Sequence, residues 1–488
     1  MNTPLRRVGL AMMVMILLLL GNLTYVQVIK ADDYRKNPLN RRVLLDQYSR
    51  ERGQIIAADG TPLASVEKTT DRLRYVRTYA NGPAFAPVTG YFSTTYGAGG
   101  MERSEDDLLN GSDDRLFARR VSDLITGRDP KGGSVQLTVD PKLQEAAFQS
   151  LGNLTGSVVA IRPQTGEILA MASTPSYDPN LLASHDANVQ EEAWGTLTDP
   201  DGPQPMLNRS VDQIYPPGST FKLVVAAEAL AEGKTKDSEV DGRKSITLPG
   251  TNTELPNFND SICGNGTTAT LQEALAKSCN TAFAVLAHDM GPDKLRKQAA
   301  KFGIGDSDLT IPLPVAQSTL GPMADPPSVY QSGIGQKDVR LTPLQNAVVC
   351  ATIANNGTRM APHLVSKIIA PDLSVIDETK PDEVEEAMDP KNAAALRDMM
   401  VESEKNTGGG GKLSGVTIAS KTGTAEHGVD PLATKPHAWY VAFAPAEKPE
   451  IAVAVIVEDG GDVGLQATGG KVAAPIGRAV IGAFLGSR

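Results

Sequence analysis

The longest uncharged apolar stretch in the chain is VGLAMMVMILLLLGNLTYVQVI, from Val8 to Ile29. At ~1.5 Å rise per residue these 22 residues span about 33 Å, enough to cross a bilayer. A cleaved signal peptide would show a shorter apolar core and a small-x-small cleavage site, and neither stands out. The pattern therefore predicts an uncleaved signal anchor. Shorter patterns follow it. SRERGQIIAADGTPLA reads as a strand, a turn at Asp59-Gly60 and a second strand. A glycine-rich YGAGG follows at Tyr96. PKLQEAAFQSL, Pro141 to Leu151, reads as a helix with proline in its first turn. GSVVAIRPQTGEILAMAS, Gly156 to Ser173, reads as two strands around a Gln164-Thr165-Gly166 turn. A mixed, largely helical region runs to about Ser403. TGGGGK, Thr407 to Lys412, reads by composition as a flexible loop. VTIASKTGTAE, HAWYVAFAP and EIAVAVIVED are three strand candidates, and Gly470 to Leu485 is a closing helix.

Two strands near residue 160 are thus separated by roughly 240 residues from three more. The simplest assembly is an α+β fold. It has one five-stranded, mostly antiparallel sheet flanked by helices, with a helical insertion between its second and third strands. The expected domains are a cytoplasmic tail at 1–7, the anchor at 8–29, a small non-catalytic α+β domain at 30–150 and a catalytic domain at 151–488. There is no internal repeat.

Composition narrows the function. A chain of 488 residues holds two or three domains. With 41% hydrophobic and 21% charged residues it is not globally disordered. A net charge of -10 with no basic stripe argues against a nucleic-acid binder. Charge does not decide orientation, because Arg6 and Arg7 precede the anchor while Lys30, Arg35, Lys36, Arg41 and Arg42 follow it. The very short tail and the chemistry below place the bulk of the chain outside the cytoplasm. The three cysteines are Cys263, Cys279 and Cys350. Two readings stay open: a Cys263–Cys279 disulfide, which an extracytoplasmic compartment permits, or three small buried hydrophobes. No Cys-x-x-Cys or His-x-x-x-His spacing suggests a metal.

YPPGSTFK, Tyr215 to Lys222, carries the chemistry. Ser219 and Lys222 lie three residues apart, on one face of the helix that opens there. Serine needs a base to become a nucleophile, and a lysine serves only if burial or a nearby cation lowers its pKa. The tetrapeptide alone is weak. Ser65-Val66-Glu67-Lys68 has the same spacing, and serine at a helix start is most often a cap. Ser278-Cys279-Asn280 could be a helix end with Asn280 left-handed, and Lys421-Thr422-Gly423 a bulge in a strand. In the order SxxK, SxN, KTG, 59 and 143 residues apart, the three are the signature of penicillin-binding proteins and class A β-lactamases.

The chain resembles a class B penicillin-binding protein, of the penicillin-binding protein A type of actinobacteria. RGQI at Arg52 matches the RGxI element of that family's N-terminal domain. TGEILAMASTPSYDPN, YPPGSTFK, KSCNTAF, IGQKDVRLTPLQ, SKTGTAE and ATGG match segments of its transpeptidase domain. The resemblance implies that Ser219 attacks the D-Ala-D-Ala bond of a peptidoglycan stem peptide and that Lys222 takes its proton. Ser278 would relay a proton to the leaving nitrogen. Asn280 would bond the substrate backbone and hold Lys222. Lys421 would depress Lys222 and attract the terminal carboxylate, with Thr422 and Thr424 bonding it. The backbone N–H groups of Ser219 and Thr424 would form the oxyanion hole, and Gly423 would leave room for the substrate chain. A β-lactam would acylate Ser219. Neither cofactor nor metal is implied. The implied partners are stem peptides, a lipid-linked precursor, the membrane and a membrane glycosyltransferase of the shape, elongation, division and sporulation family.

Departures are few. Cys279 stands where aspartate or other residues are common, and a bridge to Cys263 would turn it away from the active site. His288, in AHDM, and His427 read as structural or rim residues, with His427 a candidate for the cleft wall. A serine β-lactamase would need a deacylating glutamate in an ExxLN segment; the nearest string, PMLN at Pro205, precedes Ser219 and lacks it. The 110 residues from Ala31 to Asp140 leave no room for a glycosyltransferase domain. The chain is expected to carry no appended repeats after ATGG and one helix. An inactive division scaffold is the remaining alternative.

Overall fold

The computed structural model describes residues 2–31, 34, 48–117, 125–127, 129, 131–428 and 433–486. Arg35, Lys36, Arg41 and Arg42, part of the flanking charge count, lie outside them.

Four strands, Gly156–Ile161, Ile168–Thr174, His437–Ala444 and Ile451–Val457, are buried at every residue. That is why they read as continuous apolar runs: helices cover both faces of their sheet. Together with Ala419–Ala425 they form the expected five-stranded sheet, antiparallel throughout. From one edge its order is Ala419–Ala425, His437–Ala444, Ile451–Val457, Gly156–Ile161, Ile168–Thr174. The KTG strand is therefore an edge strand, with one row of backbone groups left for a ligand. Leu143 and Ala147 of the Pro141–Leu151 helix and Val480 and Ile481 of the Ala473–Gly486 helix pack on one face. The helices Lys222–Ala231 and Pro343–Ala354 fill the other. The Pro141–Leu151 helix starts as its sequence dictates, with Asp140 accepting from the N–H groups of Lys142 and Leu143.

The second sheet has six strands, in the order Val375–Glu378, Val365–Ile369, Ser134–Leu137, Ile55–Ile56, Pro62–Lys68, Tyr75–Tyr79. It therefore mixes strands from both sides of the boundary expected at residue 150. Both strands expected around Asp59-Gly60 are present, and the decoy Ser65–Lys68 lies in one of them. RGQI has a packing role. Arg52 and Arg77 share the fully buried Glu102, at 2.7 and 2.6 Å. A Cβ at Gly53 would stand 1.7 Å from Gly133 O, so only glycine fits there. At the N-terminus an α-helix, Asn2–Thr24, continues as a π-helical turn, Tyr25–Ile29. Its Thr3–Ile29 portion is long and apolar enough to cross a membrane.

Candidate active site

Ser219 sits on a turn gripped from several sides. Gly218–Phe221 is one turn of 3₁₀-helix, and the α-helix begins only at Lys222. With three residues per turn, i and i+3 eclipse, so Ser219 and Lys222 still share a face. Trp439 Nε1 donates to Pro216 O at 2.9 Å, and Gly218 N to Gly335 O at 2.9 Å. Asn346 Nδ2 donates to Thr220 Oγ1 at 3.0 Å, whose hydroxyl in turn donates to Pro217 O. Backbone meets backbone here. A Cβ on Gly335 would stand 2.0 Å from Gly218 O, and one on Gly423 2.8 Å from Pro217 O. The expectation for Gly423 is a clear path for substrate. What the structure places against it is the turn that carries Ser219.

Ser278-Cys279-Asn280 links two helices, Leu271–Ala276 and Asn280–Met290. The left-handed residue is Ser278, at φ 59°, not Asn280, which starts the second helix. A non-glycine residue in that region carries a strain of about 1 kcal/mol or more and marks functional segments. Cys279 is bonded to Cys263 and buried away from the cleft, while Cys350 is a buried free thiol.

The two lysines meet around Ser278. Lys222 Nζ donates to Ser278 O at 2.8 Å, to Asn280 Oδ1 at 2.8 Å and to Ser278 Oγ at 3.3 Å. No hydrogen bond to Ser219 is among them. Lys421 Nζ donates to Ser278 Oγ at 2.9 Å and to Thr422 O at 2.8 Å. Ser278 Oγ thus stands between both amines. Lys222 is 0% exposed and Lys421 1%. Burial, and secondarily the charge of Lys421, hold Lys222 well below the usual lysine range. Burial pushes Lys421 down to about 7. Among the described residues no carboxylate offsets either amine, so two full charges cannot be kept side by side in the dry interior. Asn280 Nδ2 donates to Pro256 O at 2.9 Å, so both ends of its amide are engaged.

Ser219, Ser278, Asn280, Thr422 and Thr424 line one cleft of about 1070 Å³. That is the upper end of the range for small-molecule sites, about 300–1,000 Å³. PMLN lies elsewhere: Pro205, Met206, Leu207 and Asn208 line a separate cavity of about 190 Å³. His427 does not line the cleft. Its ring stacks on His437 at 3.8 Å, and its Nε2 lies 3.0 Å from Asp459 Oδ1. With Asp459 these histidines form a set of metal-ligand atoms, but the two rings are within 5° of parallel. Their lone pairs lie in separate planes and do not converge on one point. His288 stacks on Tyr330.

Behind the KTG strand stands a network the sequence reading missed. Glu404 accepts from Ser420 Oγ, Tyr440 OH and Arg478 Nε. Arg478, 0% exposed, also donates to the carbonyls of Gly408, Gly409 and Gly410 at 3.1, 3.2 and 2.8 Å. The expectation of a flexible TGGGGK loop is therefore corrected: its carbonyls are fastened by a buried guanidinium. Only a lone arginine in an otherwise apolar terminal helix could have signalled this.

Residues 156–482 match the family model of the penicillin binding protein transpeptidase domain, and residues 52–135 that of the penicillin binding protein A dimerisation domain. The chain is 54% identical over 490 residues, 99% of each chain, to the peptidoglycan D,D-transpeptidase PbpA of Mycolicibacterium smegmatis. It is 50% identical over the same extent to the protein of that name in Mycobacterium tuberculosis. Among solved structures it is similar to penicillin-binding protein A from M. tuberculosis as its ceftriaxone acyl-enzyme complex, with TM-score 0.87 and 50% identity over 90% of this chain and 99% of that one. The penicillin G acyl-enzyme complex of the same protein gives TM-score 0.85 and 49% identity, over 89% of this chain and 100% of that one.

Proposed function

The chain belongs to the penicillin-binding protein family of peptidoglycan D,D-transpeptidases, and we propose that its serine acyl-enzyme forms on Ser219. The observation that carries this is Lys222, a fully buried amine, held by burial well below the usual lysine range, one 3₁₀ turn from a serine that lines the cleft.

Neutral Lys222 takes the proton of Ser219 as Oγ attacks the carbonyl between the two D-alanines of a stem peptide. The N–H groups of Ser219 and Thr424 hold the oxygen that becomes negative. Ser278, within reach of both amines, passes a proton to the leaving nitrogen, and D-alanine departs with its amine restored. Lys421, Thr422 and Thr424 hold the terminal carboxylate. An anion placed beside Lys421 restores the pKa that burial lowered, so this lysine is charged when substrate is bound. Asn280 fixes Lys222 and faces the substrate backbone. The amine of a second stem peptide then attacks the acyl ester; the cross-linking peptide bond forms, and the proton it sheds returns through Lys222 to Ser219. A β-lactam follows the first half only. Its opened ring stays attached, so nothing leaves and the acyl-enzyme persists.

The Thr3–Ile29 helix serves as a single-pass anchor with the catalytic domain outside the cytoplasm, in keeping with the Cys263–Cys279 disulfide. Residues 30–150, with the anchor, are the contact surface for a membrane glycosyltransferase partner. Incubation with benzylpenicillin, read by intact mass, tests the assignment. A one-to-one adduct lasting many minutes and absent in Ser219→Ala supports it. Rapid loss of free drug without an adduct means a β-lactamase. Intact drug with no adduct favours an inactive scaffold.

A further inference from the structure

Glu426 is the first residue past the end of the KTG strand at Ala425, and it lines the same cleft. Thr422 and Thr424 share one face of the strand, and both line the cleft together with Glu426. The side-chain amide of Gln336, oriented to match its partners, pairs with the backbone N–H and C=O of Glu426 at 3.1 Å each. The backbone is thereby occupied, and only the carboxylate is left to face a ligand. Glu426 is exposed to the cleft, and the partial burial of its carboxyl lifts it above the usual glutamate range. Among the described residues no cation pairs with it. Lys435 runs beside Gly460 and Gly464 instead, His427 faces Asp459, and positions 429–432 are Val, Asp, Pro and Leu.

The direction of a donor peptide in this cleft follows from its two anchored groups. Its terminal carboxylate lies at the Lys421 end, held by Thr422 and the Thr424 hydroxyl, and its reacting carbonyl at the backbone N–H of Thr424. The residue on the amino side of that carbonyl therefore continues toward Glu426. We propose that Glu426 is a specificity-determining residue that recognises an ammonium on the donor residue preceding the two D-alanines. The cleft would thereby favour stems whose third residue carries a free amine and disfavour those carrying an anion there. This rests on the assignment of Ser219 as nucleophile. Substrate entry displaces water from a carboxylate that has no protein counter-ion, and a cation supplied by the ligand offsets that cost.

A matched series of penicillins that differ only at the side-chain α-carbon tests it: ampicillin with an ammonium, benzylpenicillin with hydrogen, carbenicillin with a carboxylate. Second-order acylation rates are measured on the full-length protein, on Glu426→Gln and on Glu426→Lys, each divided by the benzylpenicillin rate of the same variant. The expected order for the wild type is ampicillin above benzylpenicillin above carbenicillin, with steps of about threefold to fivefold, as for a partly exposed ion pair. Glu426→Gln should compress the order and Glu426→Lys invert it. Ratios unchanged in Glu426→Lys would overturn the proposal while peptide mapping of the adduct to Ser219 left the nucleophile standing. An adduct on another residue would instead bring down the Ser219 reading.

Discussion

Lys421→Met separates what this site costs in stability from what it gives in chemistry. Lys421 titrates at about 7 in the folded protein, against 10.5 for an ordinary lysine. Between those values the unfolded chain binds a proton that the folded one does not. Stability therefore rises with pH across that window and is lost again as pH falls toward 7. The gain contributed by Lys421 from about pH 7 to pH 9 is about 2 kcal/mol, because a one-proton difference between the two states changes stability by about 1.36 kcal/mol for each step of one in pH. Methionine fills nearly the same volume, titrates nowhere and removes this gain. It also removes the cation that helps depress Lys222, which widens the difference. Against this stand two lost hydrogen bonds, to Ser278 Oγ and Thr422 O, each contributing about 0.5–1.5 kcal/mol independently of pH. Unfolding midpoints of the full chain in detergent, at both pH values, read the result. The wild-type midpoint should rise by about 4–8 °C more than that of the variant, at about 2–4 °C per kcal/mol. Acylation by benzylpenicillin should fall sharply in the variant at either pH. Parallel pH responses of the two proteins would mean that Lys421 stays charged throughout, and the account of a partly neutral lysine pair would be wrong.

The other expectations are structural. Gly423→Ala sets a Cβ 2.8 Å from Pro217 O and should slow acylation by at least about tenfold, which is about 1.4 kcal/mol on the barrier; wild-type rates would refute the close packing of strand against turn. Arg478→Met leaves Glu404, whose side chain is 12% exposed, without its counter-ion and should cost about 3 kcal/mol. Arg478→Lys keeps the charge but loses the fork on three glycine carbonyls, and should recover stability more fully than acylation rate; equal recovery of both would count against a positioning role. Removing the Cys263–Cys279 bridge, which closes a 16-residue separation, should lower stability by about 3 kcal/mol. It should also slow acylation, because Cys279 stands between Ser278 and Asn280; acylation left unchanged in Cys279→Ala would limit the bridge to a structural role.

The sequence alone determined the sheet and the order of the motifs. Strands such as IAVAVIV, Ile451–Val457, are apolar at every position because they are buried on both faces, a local property visible without any partner. The Pro141–Leu151 helix carries its own start signals in Asp140 and Pro141. That the N-terminal helix is long and apolar enough to cross a membrane is a matter of length and composition. SxxK is legible because an i, i+3 pair shares a face in an α- or a 3₁₀-helix alike. What depends on residues far apart in the chain stayed hidden. Nothing near Ser278 says that two amines separated by 199 positions, Lys222 and Lys421, will flank its hydroxyl. The same holds for the left-handed turn at Ser278, fixed by two packed helices, and for Gly335 and Gly423, whose missing Cβ atoms matter only once a distant backbone arrives. TGGGGK misled because glycine composition reports freedom in the isolated chain. The guanidinium that removes that freedom lies 68 residues further on, at Arg478. Lowered lysine pKa values belong to the same class: burial by the whole fold sets them, and only the tertiary structure places a dry interior around these two side chains.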